Sequence, residues 1–91
     1  MSRETVYQEE LVTEVVDVEE QALTLYNDDV NTFDHVIETL ISACDHAPEQ
    51  AEQCALIVHF KGQCTVKTGE YEELEPRCTL LLNAGLSAEI I

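Results

Sequence analysis

Three consecutive polar residues, Asn27-Asp28-Asp29, stand between a strand-like run that ends in Leu25-Tyr26 and a helical pattern that opens at Phe33. Short amide and carboxylate side chains at such a corner bond the local backbone, so turn chemistry accounts for them at the least. The same oxygens offer further chemistry. Two adjacent carboxylates are the beginning of a divalent-metal site, although hard cations want more oxygen ligands than this corner alone supplies. Asp28 or Asp29 together with His59 could act as a small acid–base pair. Against that, no Ser or Cys nucleophile and no glycine-rich loop is patterned beside them.

Charge narrows the field. Nineteen acids against four Lys or Arg give −15 over 91 residues. A field of that sign repels phosphate backbones and anionic lipid surfaces, and it favours basic surfaces or cationic groups as partners. An acidic protein-docking domain without a small pocket is one form this could take. It also makes a monomer the expected state at low salt. No apolar run reaches membrane-spanning length, and Met1-Ser2-Arg3-Glu4 does not open a signal peptide. A soluble, cytoplasmic protein is the expectation. Cys44, Cys54, Cys64 and Cys78 form no CxxC pair, and His35, His46 and His59 share no ligand spacing with them. The cysteines read as reduced, small buried hydrophobes, and neither metal nor cofactor is expected.

The elements that must position the corner follow from patterning. Residues 1–20 hold seven acids and one Arg with scattered apolar residues, which predicts a flexible acidic arm. Gln21 to Tyr26 alternates and predicts a first strand. Asn31 or Thr32 then caps a helix whose apolar residues Phe33, Val36, Ile37, Leu40, Ile41 and Cys44 recur at helical spacing. Pro48 starts a second helix with the inner stripe Ala51, Cys54, Ala55 and Val58, and Gly62 ends it. Leu56, Ile57 and Phe60 fall off that stripe, so a second face of this helix should also be covered. Gln63 to Thr68 is a second strand. A third helix takes Cys78, Leu81 and Leu82, with Leu80 as a further candidate, for its buried face, and Pro76 is expected in its first turn because an interior proline costs about 3 kcal/mol. Asn83-Ala84-Gly85 stops it, and Leu86 to Ile91 is a closing strand. Residues 21–91 thus form one α+β domain, a small α/β sandwich in the order β-α-α-β-α-β, with three helices on one face of a three-stranded antiparallel sheet.

The corner Leu25-Tyr26-Asn27-Asp28-Asp29, the amphipathic helix after it, and Val58-His59-Phe60-Lys61-Gly62 closing the next helix together resemble the ClpS family. Members are non-catalytic adaptors that deliver N-degron substrates to a ClpAP- or ClpCP-type AAA+ protease. The resemblance implies that Asn27, Asp28 and His59 bind the substrate's α-amino group, with Asp29 beside them on the substrate backbone. Such a group presents three N–H donors, so it requires acceptors around one point, and those residue types supply them. The resemblance further implies a hydrophobic pocket for a first side chain of Leu, Phe, Tyr or Trp. The matching positions are Asn31, Phe33, Val36, Ala55, Val58 and Leu86. Asn31 and Phe33 stand where many relatives have Thr and Met, and Ala55 stands where a Met commonly narrows the pocket. That departure points to a wider pocket, open to Ile or Val. Glu72 and Arg77 align with an acid and a Lys by which relatives dock to the N-domain of a ClpA- or ClpC-type unfoldase. The acidic arm matches the family's N-terminal extension in length, not in sequence.

Overall fold

The structure, a computed structural model, describes residues 20–91. The expected arm, Glu20 apart, lies outside the described residues. Six elements follow one another: β1 (Gln21–Tyr26), α1 (Phe33–Cys44), α2 (Pro48–Lys61), β2 (Gln63–Gly69), α3 (Tyr71–Asn83) and β3 (Ser87–Ile90). Their order is the expected β-α-α-β-α-β. The strands lie in the order β2-β1-β3, and β1 pairs antiparallel with both neighbours.

The alternation in β1 decides which way the sheet faces. Leu23 and Leu25 are fully buried against the helices, while Tyr26 on the other face donates its hydroxyl to Glu89 Oε1 at 2.9 Å. Each buried leucine contributes about 1.5–3 kcal/mol of transfer free energy. The helices close over this face with Leu40, Ala43 and Cys44 from α1, Ala51, Cys54 and Val58 from α2, and Leu74, Cys78 and Leu81 from α3. The start of β1 is tied to the end of the chain, since Ala22 and Ile91 exchange two backbone hydrogen bonds of 3.0 and 2.8 Å.

Pairing of β1 with β2 slips once. Leu23 faces Lys67 and Thr24 faces Thr65, so Val66 is an extra residue, a β-bulge. Its carbonyl accepts a 2.7 Å hydrogen bond from Nε2 of the buried His46. A carbonyl cannot donate, so Nε2 carries the proton, and Nδ1 is left as a buried acceptor without a partner among the described residues.

Local signals explain the helix ends. Thr32, not Asn31, caps α1, its Oγ1 accepting from the His35 amide at 3.1 Å. Pro48 opens α2, and Gly62, in the left-handed region at φ 96°, closes it. Three expectations need correction. Leu80 and Leu82 are exposed, and the buried face of α3 is Leu74, Cys78 and Leu81, because these lie at the helical spacing that meets the sheet. Leu56, Ile57 and Phe60 are not covered: they are 39, 37 and 76 % exposed. Pro76 does not lie in the first turn of α3 but is its sixth residue. Its missing N–H leaves the Glu72 carbonyl without an intrahelical donor, and both residues are exposed, so water can serve there.

Candidate functional site

Backbone bonding brings the polar corner to the end of α2. The Gly62 N–H donates to the Val58 carbonyl at 2.9 Å, and the Gly62 carbonyl accepts from the Asn27 amide at 3.0 Å. The first residue after β1 is thereby bonded to the residue that terminates the helix carrying His59. At Gly62 an added Cβ would meet nothing within 4 Å, so the glycine is required for its positive φ and not for space.

Asp28 organises the turn itself. Its Oδ1 accepts from the Val30 and Asn31 amides, both at 2.9 Å, and its Oδ2 accepts from Asn31 Nδ2 at 2.9 Å. The backbone hydrogen bond from Asn31 is the main reason that the Asp28 carboxyl lies below the usual carboxylate range, with the Asn31 side chain, the Val30 amide and the charge of His35 adding to it. A carboxylate offers about four lone-pair sites. Three are taken, which leaves one on Oδ2 for a further donor. The second N–H of the Asn31 amide group goes to the Gly85 carbonyl at 2.9 Å, and His35 Nε2 is 2.8 Å from the Ala84 carbonyl. The corner is thus braced against the turn that leads from α3 to Leu86.

A pocket opens between these parts. It is lined by Leu25, Tyr26, Asn27, Asp28, Asn31, Phe33, Val36, Ala55, Val58, His59 and Leu86, with about 410 Å³ of empty volume counted out through its mouth. Asn27, Asp28 and His59 give it polar lining, and Val36, Ala55, Val58 and Leu86 give it apolar lining. The Asn27 side chain makes no hydrogen bond among the described residues and keeps its acceptor free. Phe33 is 39 % exposed at the rim, its ring edge-on to His59 with centroids 6.2 Å apart.

Of the residues singled out in the sequence, nine meet in this pocket: Asn27, Asp28, Asn31, Phe33, Val36, Ala55, Val58, His59 and Leu86. Asp29 does not line it and is exposed. Glu72 is exposed in the first turn of α3. Arg77 is held more firmly than a free surface cation. Its Nη1 donates to the Ala43 carbonyl and to Asp45 Oδ2, both at 3.1 Å. Its other three N–H donors are not engaged among the described residues. Leu25 and Tyr26, which line the pocket from the end of β1, and His35, which braces the corner, were not expected there. The adjacency of Leu25 and Tyr26 to the polar triplet was the available signal; His35 gave none.

No group of three or more His, Cys, Asp or Glu is placed to hold a metal ion among the described residues. All four cysteines are free thiols. Burial pushes the Cys44 and Cys78 thiols up and Cys54 up to about 12, aided there by Cys64, so these three stay protonated and are poor nucleophiles.

The family model for the ATP-dependent Clp protease adaptor protein ClpS matches residues 17–89. The chain belongs to the ClpS family. ClpS proteins are protease adaptors and not catalysts, and they interact with Clp AAA+ unfoldases and with substrates. Comparison with curated proteins gives no match. Among solved structures, ClpS2 of Agrobacterium tumefaciens, bound to L-phenylalaninamide, matches with a TM-score of 0.69 and 18 % identity. The match covers 80 % of this chain and 95 % of that one, and at this identity it establishes the shared ClpS fold. No helix among the described residues is long and apolar enough to cross a membrane.

Proposed function

We propose that this ClpS-family chain captures the free α-amino group and hydrophobic first side chain of N-degron proteins and presents them to a ClpA- or ClpC-type unfoldase. The observation that carries this reading is the union, in one pocket, of three acceptor-bearing residues and an apolar lining. The ammonium donates to Asn27 Oδ1, to the remaining lone pair of Asp28 Oδ2 and to a ring nitrogen of His59. Asp29, outside the pocket wall, meets the substrate backbone. The first side chain enters between Val36, Ala55, Val58 and Leu86. L-phenylalaninamide, the ligand of the Agrobacterium structure, has the matching chemistry of a free α-amino group beside a benzyl group.

Three bonds already made to Asp28 matter to this mechanism. They fix the carboxylate before the ligand arrives, so little rotamer entropy is lost on binding. They also keep it ionised, and charge-assisted bonds contribute about 1.5–3 kcal/mol each. First residues are Leu, Phe, Tyr or Trp, and the small Ala55 extends the range to Ile and Val. On the unfoldase side, Glu72 and the unspent donors of Arg77 face the N-domain, Arg77 being held in place by Ala43 and Asp45. The setting is the cytoplasm, and one adaptor molecule acts as a monomer.

Fluorescence anisotropy with a Leu-initiated peptide and its N-acetylated twin tests the reading. The free peptide binds; acetylation removes the charge and two of the donors and lowers affinity by more than roughly tenfold. Asp28→Ala does the same while the domain stays folded. Equal affinity for the two peptides, or wild-type affinity in Asp28→Ala, would remove the basis of the proposal. Ile- and Val-initiated peptides bind within about 1–3 kcal/mol of Leu if Ala55 widens the pocket.

A further inference from the structure

We infer that the outward ridge of α2 next to the pocket is a second subsite, one that takes the side chain of the residue following the captured N-terminal residue and favours arginine there. This inference rests on the reading of the pocket as a receptor for a free N-terminus. It begins from the apolar residues that folding leaves uncovered on α2, Leu56 at 39 % and Phe60 at 76 % exposure. Exposed single hydrophobes are ordinary; Phe60 differs in that its ring is linked through His59 to the pocket, with Leu56 one turn behind it. Phe33 and His59 both line it. The Phe33 ring stands edge-on to His59, and His59 stands edge-on to Phe60 with centroids 4.8 Å apart at 79°. Three rings therefore run without a gap from the pocket rim to the outer surface.

The order of residues along the ridge selects the occupant. Glu52, Leu56 and Phe60 follow at four-residue spacing and share one face of the helix. Glu52 is exposed as well. The second Cα of a bound peptide lies about 3.8 Å beyond the first. From the mouth at His59, a long side chain lies beside Phe60, with Leu56 one turn back along α2 and Glu52 a second turn beyond, about 12 Å from Phe60. Arginine fits: its planar guanidinium stacks on Phe60, its methylene stem lies against the apolar ridge, and Glu52, two turns away, adds attraction without a direct pair. Lysine lacks the planar group, and an acidic residue meets both Glu52 and a net charge of −15.

The test uses anisotropy with three peptides identical but for the second residue, beginning Leu-Ala, Leu-Arg and Leu-Glu, on the wild-type chain, Phe60→Ala and Glu52→Gln. The readout is the ratio of affinities within one protein, which cancels any general effect of a substitution on the pocket. The expected result is Leu-Arg tighter than Leu-Ala by roughly two- to fivefold, the range of an exposed cation–π contact, and Leu-Glu weaker than both. Phe60→Ala brings the Leu-Arg to Leu-Ala ratio to one, and Glu52→Gln lowers it. A wild-type ratio of one overturns the subsite. So does a ratio that survives Phe60→Ala, because the preference then comes from the overall negative field. Absence of binding by all three peptides defeats the N-terminus reading itself, and is distinguishable from both.

Discussion

The ends of α1 and α2 both stop in the left-handed region, each with its cap N–H bonded back into the helix, and they differ in what is added to that bond. At the end of α1, Asp45 takes φ 57°, and side chains from distant parts of the chain complete the closure. Arg77 donates to the Ala43 carbonyl and to Asp45, and His46 turns inward to the Val66 carbonyl. At the end of α2 the closure is all main chain: Gly62 bonds back to Val58 and across to Asn27. The first end consumes a cation, an acid and an imidazole to hold itself together. The second holds its geometry with peptide groups, so the side chains around it, Asn27 and His59 above all, keep hydrogen-bonding capacity for something else. A binding site needs that surplus, because groups already satisfied within the protein gain nothing by meeting a ligand.

Substitutions at the two ends should therefore give opposite signatures. His46→Ala is expected to show the largest effect, a loss of roughly 2–4 kcal/mol in stability from a buried cavity and an unserved Val66 carbonyl. Urea unfolding measures it, and peptide affinity of the folded protein should not move. Gly62→Ala forces a Cβ into the left-handed region at a cost of roughly 1–2 kcal/mol. Unlike His46→Ala, it should weaken peptide binding as well, since the same residue holds Asn27 against α2; calorimetric melting and anisotropy on one sample would show whether the two losses travel together. The smallest effect concerns pH. The Asp28 carboxyl is depressed in the folded state, so its contribution is fully present above the unfolded carboxylate value of about 3.9 and is lost as pH falls through the lower folded value. The stability difference between wild type and Asp28→Asn should thus be constant from neutral pH down to about 4 and shrink below it. A difference that already declines near pH 6 would mean that the turn is not held by an ionised Asp28.

Local periodicity made most of the frame readable. The stripe from Phe33 to Cys44 and the inner row Ala51, Cys54, Ala55 and Val58 are set by burial of one helical face, which spacing reports directly. The pairing of the corner with His59 was different, because residues that far apart in sequence are joined only by the fold. Periodicity placed His59 on an edge of α2; the resemblance brought it to Asn27 and Asp28, and the Gly62–Asn27 bond is the physical link. Arg77 with Ala43, and His46 with the bulged Val66, were illegible for the same reason. Leu56, Ile57 and Phe60 misled in another way. Apolar residues around a whole helix predict cover on every side, and hydrophobicity alone does not distinguish a face buried by the domain from one left to the outside. Pro76 misled because the proline penalty is largest where the lost bond is shielded, whereas here it faces water.

The mutual bonds between Ala22 and Ile91 have a directional consequence. β1 runs from that pair to Asn27, five steps of about 3.3 Å each, or roughly 17 Å. The molecule therefore has two poles. The pocket sits at one, and at the other Ala22 is bonded to Ile91, one residue past β3. A label or fused domain attached at Ile91 would sit on the pole away from the pocket.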